Sequence, residues 1–118
     1  MDRLVEAVAE VSKRANQSVT LLIVGDGPER ARVEELCRAL GVSCVVTGYV
    51  RHEVILALLS VLDVLVMPRV RVSSTEYVIP IKLLEAWALG VPMVITKHAI
   101  KFHVVLVLTL PFGQLQFK

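Results

Sequence analysis

The sequence predicts an α/β fold: a doubly wound, mainly parallel sheet with helices on both faces, in three α/β/α layers. Short branched apolar runs recur at 19–24, 42–47, 64–67 and 91–96. Helix-length stretches separate them, and Gly or Pro stands at most junctions. Strands alternating with helices at this spacing join through right-handed crossovers, so they run parallel. Ligands of such sheets sit at the carboxyl ends of the strands.

Leu4, Val5, Val8 and Val11 recur at helical spacing opposite Glu6, Glu10, Lys13 and Arg14, which predicts a helix over 2–15 closed by Asn16-Gln17-Ser18. Val19 to Val24 is a buried strand leading into the turn Gly25-Asp26-Gly27-Pro28. Pro28 is placed to open a second helix, with Glu29 in its first turn, Val33, Leu36, Cys37 and Leu40 as its apolar stripe and Gly41 as its stop. A strand over 42–47 ends at Gly48, a helix covers 52–61, and Val64 to Met67 forms a strand stopped by Pro68. Residues 69–78 read as a loop. Pro80 starts a fourth helix that Gly90 ends, and a fourth strand follows. The apolar run 103–110 has no helix between it and that strand, so it reads as an antiparallel edge, a misfit or foreign sequence. The expected division is a domain over 1–100 and a divergent apolar tail over 101–118.

One domain is what 118 residues allow. An ordinary core is within reach without disulfides or metal. A net charge of +2 gives no reason to expect a nucleic-acid partner. Carboxylates are scarce in the second half: residues 54–118 hold only Asp63, Glu76 and Glu85. Cys37 and Cys44 are too few for a metal quartet and read as buried thiols. The first residues lack the apolar core of a signal peptide. The stretch 54–68, interrupted by Ser60 and Asp63, is shorter than the roughly 18 residues of a membrane span. A reducing, cytoplasmic location is the expectation.

Several positions carry candidate chemistry. Gly25-Asp26-Gly27, between strand and helix, either lets backbone N–H groups approach a phosphate or is a plain turn. Thr47-Gly48-Tyr49-Val50 ends the next strand; it either receives a nucleobase or is a turn in which Tyr49 covers the sheet edge. Lys82 and the start of the fourth helix could hold a diphosphate, while Glu76 and Glu85 accept hydrogen bonds from sugar hydroxyls; otherwise Lys82 and Glu85 form a solvated face. Arg69 and Arg71 either neutralise a phosphate or sit in solvent. Asp63 reads as a backbone cap. His52, His98 and His103 share no metal-ligand spacing, and no Asp-x-Asp pair is present, so no metal site is expected.

Taken in order, LLIVGDGPER (21–30), LGV (40–42), VTGYV (46–50), DVLVMP (63–68) and KLLEAWALGVPMV (82–94) resemble the C-terminal domain of glycosyltransferase group 1, also called family 4, of the GT-B fold. The resemblance covers roughly residues 1–97. It implies a retaining transferase that takes a sugar from a nucleotide-diphosphate donor, without cofactor or metal. By the same resemblance Gly25, Asp26 and Gly27 lie against the donor's phosphates or base, and Tyr49 and Val50 border the base. Glu85 binds the ribose, Arg69 and Lys82 serve the diphosphate, and Glu76 is the catalytic carboxylate facing the transferred sugar.

The interval between Glu76 and Glu85 is one residue longer than the family's usual one. The family's opening strand and its Arg/Lys pair have no counterpart here, Lys97-His98-Ala99 replaces a Gly-rich turn, and the acceptor-binding N-terminal domain is absent. The expectation is an incomplete donor-binding half whose partner is an acceptor-binding domain or subunit. The full enzyme has no transmembrane segment in this part and could associate peripherally with a membrane. The competing expectation is a non-catalytic α/β module or gene remnant.

Overall fold

The computed structural model describes residues 1–67, 81–95 and the strand at 105–109. Helix α1 (Asp2–Ala15) buries Val5, Val8 and Ala9 on one face. Asp2 in its first turn and Lys13 and Arg14 in its last complement the helix dipole. It stops at Asn16, whose φ of 49° is left-handed, a conformation the short polar side chain tolerates. Strand β1 (Thr20–Val24) follows. Helix α2 (Arg30–Leu40) begins just after Pro28 and Glu29, which form the turn into it, and ends at left-handed Gly41. Then come β2 (Ser43–Val46), α3 (His52–Ser60), β3 (Val64–Met67), α4 (Ile81–Ala88), β4 (Met93–Ile95) and β5 (Val105–Thr109).

The strand order is β2-β1-β5-β3-β4. β1 pairs parallel with β2 (Leu21 beside Cys44) and β3 pairs parallel with β4 (Leu65 beside Met93). β5 runs antiparallel to both β1 and β3, with Val107 opposite Leu22 on one side and Leu65 on the other. The four helix-linked strands therefore all point the same way, and β5 alone is reversed. Its antiparallel sense was open to the sequence; its place was not foreseen. Of the run read as an antiparallel edge, a misfit or foreign sequence, the described strand at 105–109 lies in the centre of the sheet and not at its edge. There it satisfies two hydrogen-bonding edges instead of one.

The alternating side chains of the sheet feed two cores. Leu21, Ile23 and Val66 meet Val5 and Val8 of α1 and Val33 and Cys37 of α2. On the opposite face Leu65 and Met67 meet Leu59, Leu62, Ala86 and Val91, with Leu22, Ile55 and Leu83 packed against them. This is the three-layer arrangement expected. Leu21 and Leu65 are fully shielded, and burial of such a side chain contributes about 1.5–3 kcal/mol. Cys37 and Cys44 are both free thiols. Burial raises both above the ordinary thiol value, and Cys44, which donates a hydrogen bond to Cys37, is pushed up to about 12.

Candidate functional site

In the half of the sheet nearest β2, the carboxyl ends of β1 and β2 are stitched together. Gly25 N–H donates to the Gly48 carbonyl at 3.0 Å, and Thr47 N–H donates to the Ile23 carbonyl at 3.0 Å. Gly25 has φ 128° and Gly48 φ 71°, both in the region that favours glycine, so these two glycines are needed by the backbone path itself. Gly27 differs. A Cβ placed there meets nothing within 4 Å, so it borders open space.

Asp26 braces the turn: its Oδ1 accepts from Gly27 N–H at 2.9 Å, and its Oδ2 lies 3.8 Å from Arg30 Nη1. Of the two readings of the turn, these hydrogen bonds are those of a plain strand-to-helix turn. The Gly25 and Gly27 N–H groups already have protein partners, so what the glycines leave to a ligand is space. That space is a cavity of about 500 Å³ with Ile23, Val33, Val46 and Met1 as apolar lining and Gly25 to Arg30 along its side. Arg30, which motif reading passed over as a site residue, is its cation; Nε donates to Glu34 at 3.1 Å, and Nη1 would lie 3.5 Å from a Cβ on Gly48.

A second cluster joins α3 to α4. The Glu85 carboxylate lies 3.1 Å from His52 Nε2 through Oε1 and 3.1 Å from Lys82 Nζ through Oε2. Lys82 Nζ is also 3.3 Å from His52 Nδ1. The three side chains close a ring in which His52 as the Nε2–H tautomer donates to Glu85 and accepts from the Lys82 ammonium. The Glu85 and Lys82 side chains are 17% and 20% exposed, which excludes the solvated-face reading. His52 was considered from sequence only as a metal ligand and rejected. Its real neighbour is 33 positions away, a distance no local pattern reports.

Residues 48–52 connect the two clusters. Gly48 holds the Gly25 turn at one end, and His52 holds Glu85 at the other. Between them Tyr49 is 96% exposed, so it covers no sheet edge; Val50 is partly buried. Of the predicted site residues, Gly25, Asp26, Gly27, Tyr49 and Val50 lie at the β1–α2 and β2–α3 junctions, and Lys82 and Glu85 lie on α4. Glu76, Arg69, Arg71, His98 and His103 lie outside the described residues. Among the described residues no group of three or more His, Cys, Asp or Glu is arranged to hold a metal ion, and no helix is long and apolar enough to cross a membrane.

A Rossmann-like α/β layer structure with its polar groups gathered where parallel strands hand over to helices defines a class of ligand-binding domain. Residues 1–106 match the pattern of the glycosyl transferases group 1, and the chain belongs to that family. It is 43% identical over 68 residues to a 2-deoxystreptamine glucosyltransferase of Streptomyces kanamyceticus, an overlap of 56% of this chain and 17% of that protein. It is 37% identical over 73 residues to a 2-deoxystreptamine N-acetyl-D-glucosaminyltransferase of Streptomyces fradiae, covering 60% of this chain and 16% of that protein. The chain thus matches about a sixth of the length of these relatives. No solved structure matches it.

Proposed function

We propose that this chain is the donor-binding half of a retaining glycosyltransferase, which moves a sugar from a nucleotide diphosphate to an acceptor hydroxyl held by another domain or subunit. The observation that carries the proposal is the loop at 48–52, which bonds an apolar, glycine-walled cavity at one end and a shielded carboxylate at the other. A nucleotide presents the matching pair of features: a flat base and a ribose diol. The base lies along the cavity beside Gly27 and Tyr49. Glu85 accepts from the ribose hydroxyls with the lone pairs that Lys82 and His52 leave unused.

Charge sets the rest of the mechanism. In transfer the bond from the anomeric carbon to the diphosphate oxygen breaks, the acceptor oxygen bonds to that carbon, and the acceptor proton passes to the departing diphosphate oxygen. Lys82 and Arg69 stabilise the charge that builds on the leaving diphosphate, so no metal is required. Glu76 faces the oxocarbenium-like sugar. The names of the two relatives favour a hexosyl group as cargo. Free Cys37 and Cys44 suit a reducing, cytoplasmic setting. Peripheral membrane association of the whole enzyme is part of the same proposal.

Isothermal titration of the chain with UDP, GDP and ADP at millimolar concentration tests donor binding. One of the three is expected to release or take up heat with the same affinity in EDTA. Glu85→Gln is expected to weaken it by about 1.5–3 kcal/mol, the usual worth of a hydrogen bond to a charged group. Silence with all three nucleotides overturns the proposal, and an unchanged affinity in Glu85→Gln removes the ribose role.

A further inference from the structure

The ring of His52, Lys82 and Glu85 admits one proton arrangement. Lys82 Nζ, 3.3 Å from His52 Nδ1, has hydrogens to give and no lone pair, so it needs an acceptor there. Glu85 Oε1, 3.1 Å from His52 Nε2, has lone pairs and no hydrogen, so it needs a donor there. The Nδ1–H tautomer sets donor against donor and lone pair against lone pair. The imidazolium sets a hydrogen and a like charge against the Lys82 ammonium. Neutral His52 with its proton on Nε2 fits both neighbours.

Three contacts in a closed ring fix what single contacts leave loose. The terminal torsion of a glutamate is broad, so a carboxylate held by one oxygen can still turn. Lysine is a point charge on a flexible four-carbon stem. Lys82 is also the second residue of α4, near a helix N-terminus, where the dipole disfavours a cation. Side chains hold it there: Glu85 Oε2 at 3.1 Å from its own helix, and His52 Nδ1 from α3. The ring leaves one lone pair on each Glu85 oxygen and one hydrogen on Lys82 uncommitted. The His52 side chain is itself 57% exposed, so neither core depends on it.

We propose that His52 is a positioning residue of the donor site. As the Nε2–H tautomer it holds Glu85 and Lys82 in one orientation, in which the carboxylate is presented to the ribose diol and the remaining ammonium hydrogen to the diphosphate. This role rests on the donor-binding reading of the chain. His52 touches no reacting atom and acts through its two neighbours; its worth is the ordering that they need not undergo when the nucleotide arrives.

The test is isothermal titration of the full chain and its variants with UDP, GDP and ADP, beside nitrogen NMR of the imidazole. His52→Leu keeps an apolar body without donor or acceptor; it is expected to weaken the nucleotide that binds by about 10-fold at an unchanged thermal midpoint. His52→Gln carries both a donor and an acceptor and is expected to recover affinity to within about 3-fold of the parent, whereas His52→Lys, a donor alone, is not. In a Glu85→Gln background His52→Leu is expected to cost less than about 3-fold, because most of its effect passes through that carboxylate. The NMR arm needs no nucleotide: His52 is expected to show a protonated Nε2 and an unprotonated Nδ1 whose signal moves in Lys82→Met.

An Nδ1–H signal, or an Nδ1 signal indifferent to Lys82→Met, overturns the ring. Full affinity in His52→Leu, no recovery in His52→Gln, recovery in His52→Lys, or additive losses with Glu85→Gln overturns the role of His52 and leaves nucleotide binding standing. Silence of the parent chain with all three nucleotides overturns the donor-binding reading, and this role with it.

Discussion

Around β1, α1 and α2 the apolar stripes meet one another closely: Val5, Leu21, Val33 and Cys37 are all at most 4% exposed. Around β4 and α4 they do not. Ile81, Leu84 and Trp87 are 65%, 48% and 73% exposed, and Val94 and Ile95 of the edge strand β4 are about half exposed. Both halves have the same helix-on-sheet construction, but α1 and α2 carry charged faces opposite their apolar stripes, whereas α3 and α4 are apolar around most of their circumference. Each half closes a core under two packed helices, but the outer face of α4 presents large apolar side chains to solvent. Apolar sequence measures how much surface a segment can bury, and the fold decides how much of it finds cover.

The largest effect that probes this contrast is truncation of a core residue. Leu21→Ala is expected to destabilise the chain by about 2–5 kcal/mol in chemical denaturation, because its site is fully enclosed and cannot collapse. Trp87→Ser, a larger truncation by volume, is expected to stay within about 0.5 kcal/mol of the parent. If the two variants lose similar stability, the halves are equally packed and the comparison fails.

The thiol pair supplies a prediction of intermediate size, confined to the better-packed half. Burial and the bond to Cys37 raise the folded Cys44 value from 9.0 to about 12. Below the unfolded value both states hold the proton and the contribution to stability is complete. Above it the unfolded chain releases a proton that the fold retains, so stability declines as pH rises through the window from about 9 to about 12. Urea midpoints measured across that window should fall less steeply in Cys44→Ala; an identical slope would place the titration elsewhere.

Gly27→Ala gives the smallest expected effect on the fold and the sharpest separation of fold from binding. The added methyl enters open space, so the thermal midpoint is expected to be unchanged. Nucleotide affinity is expected to drop by about 10-fold, or 1.4 kcal/mol, if the base rests against that surface. Loss of the fold would contradict the geometry, and full affinity would move the base away from the turn.

Every helix-linked strand was legible because branched runs, glycines and prolines act locally: Val19 to Val24, Gly25 and Gly41 each announce an element within a few residues. The placement of β5 was not legible. An apolar strand signals that it needs pairing, while its neighbours are fixed by which edges stand open, here those of β1 and β3. The site divides along the same line. Glu85 and Lys82 were visible through one helix turn of spacing, but His52 meets them only because α3 packs on α4, and Arg30 counts only because β2 delivers Gly48 beside it. The glycine turn left two readings open in the sequence, a phosphate approach and a plain turn, and only the fold shows that Gly48 and Asp26 accept from its Gly25 and Gly27 N–H groups.

The central claim, that one nucleotide spans both clusters, is tested most directly by amide chemical shifts during titration with UDP, GDP and ADP. With the nucleotide that binds, the account predicts concerted shifts with a single dissociation constant at Gly25 to Gly27, Gly48 to His52, and Lys82 to Glu85. Shifts confined to one cluster, or centred on another part of the sheet, would contradict it.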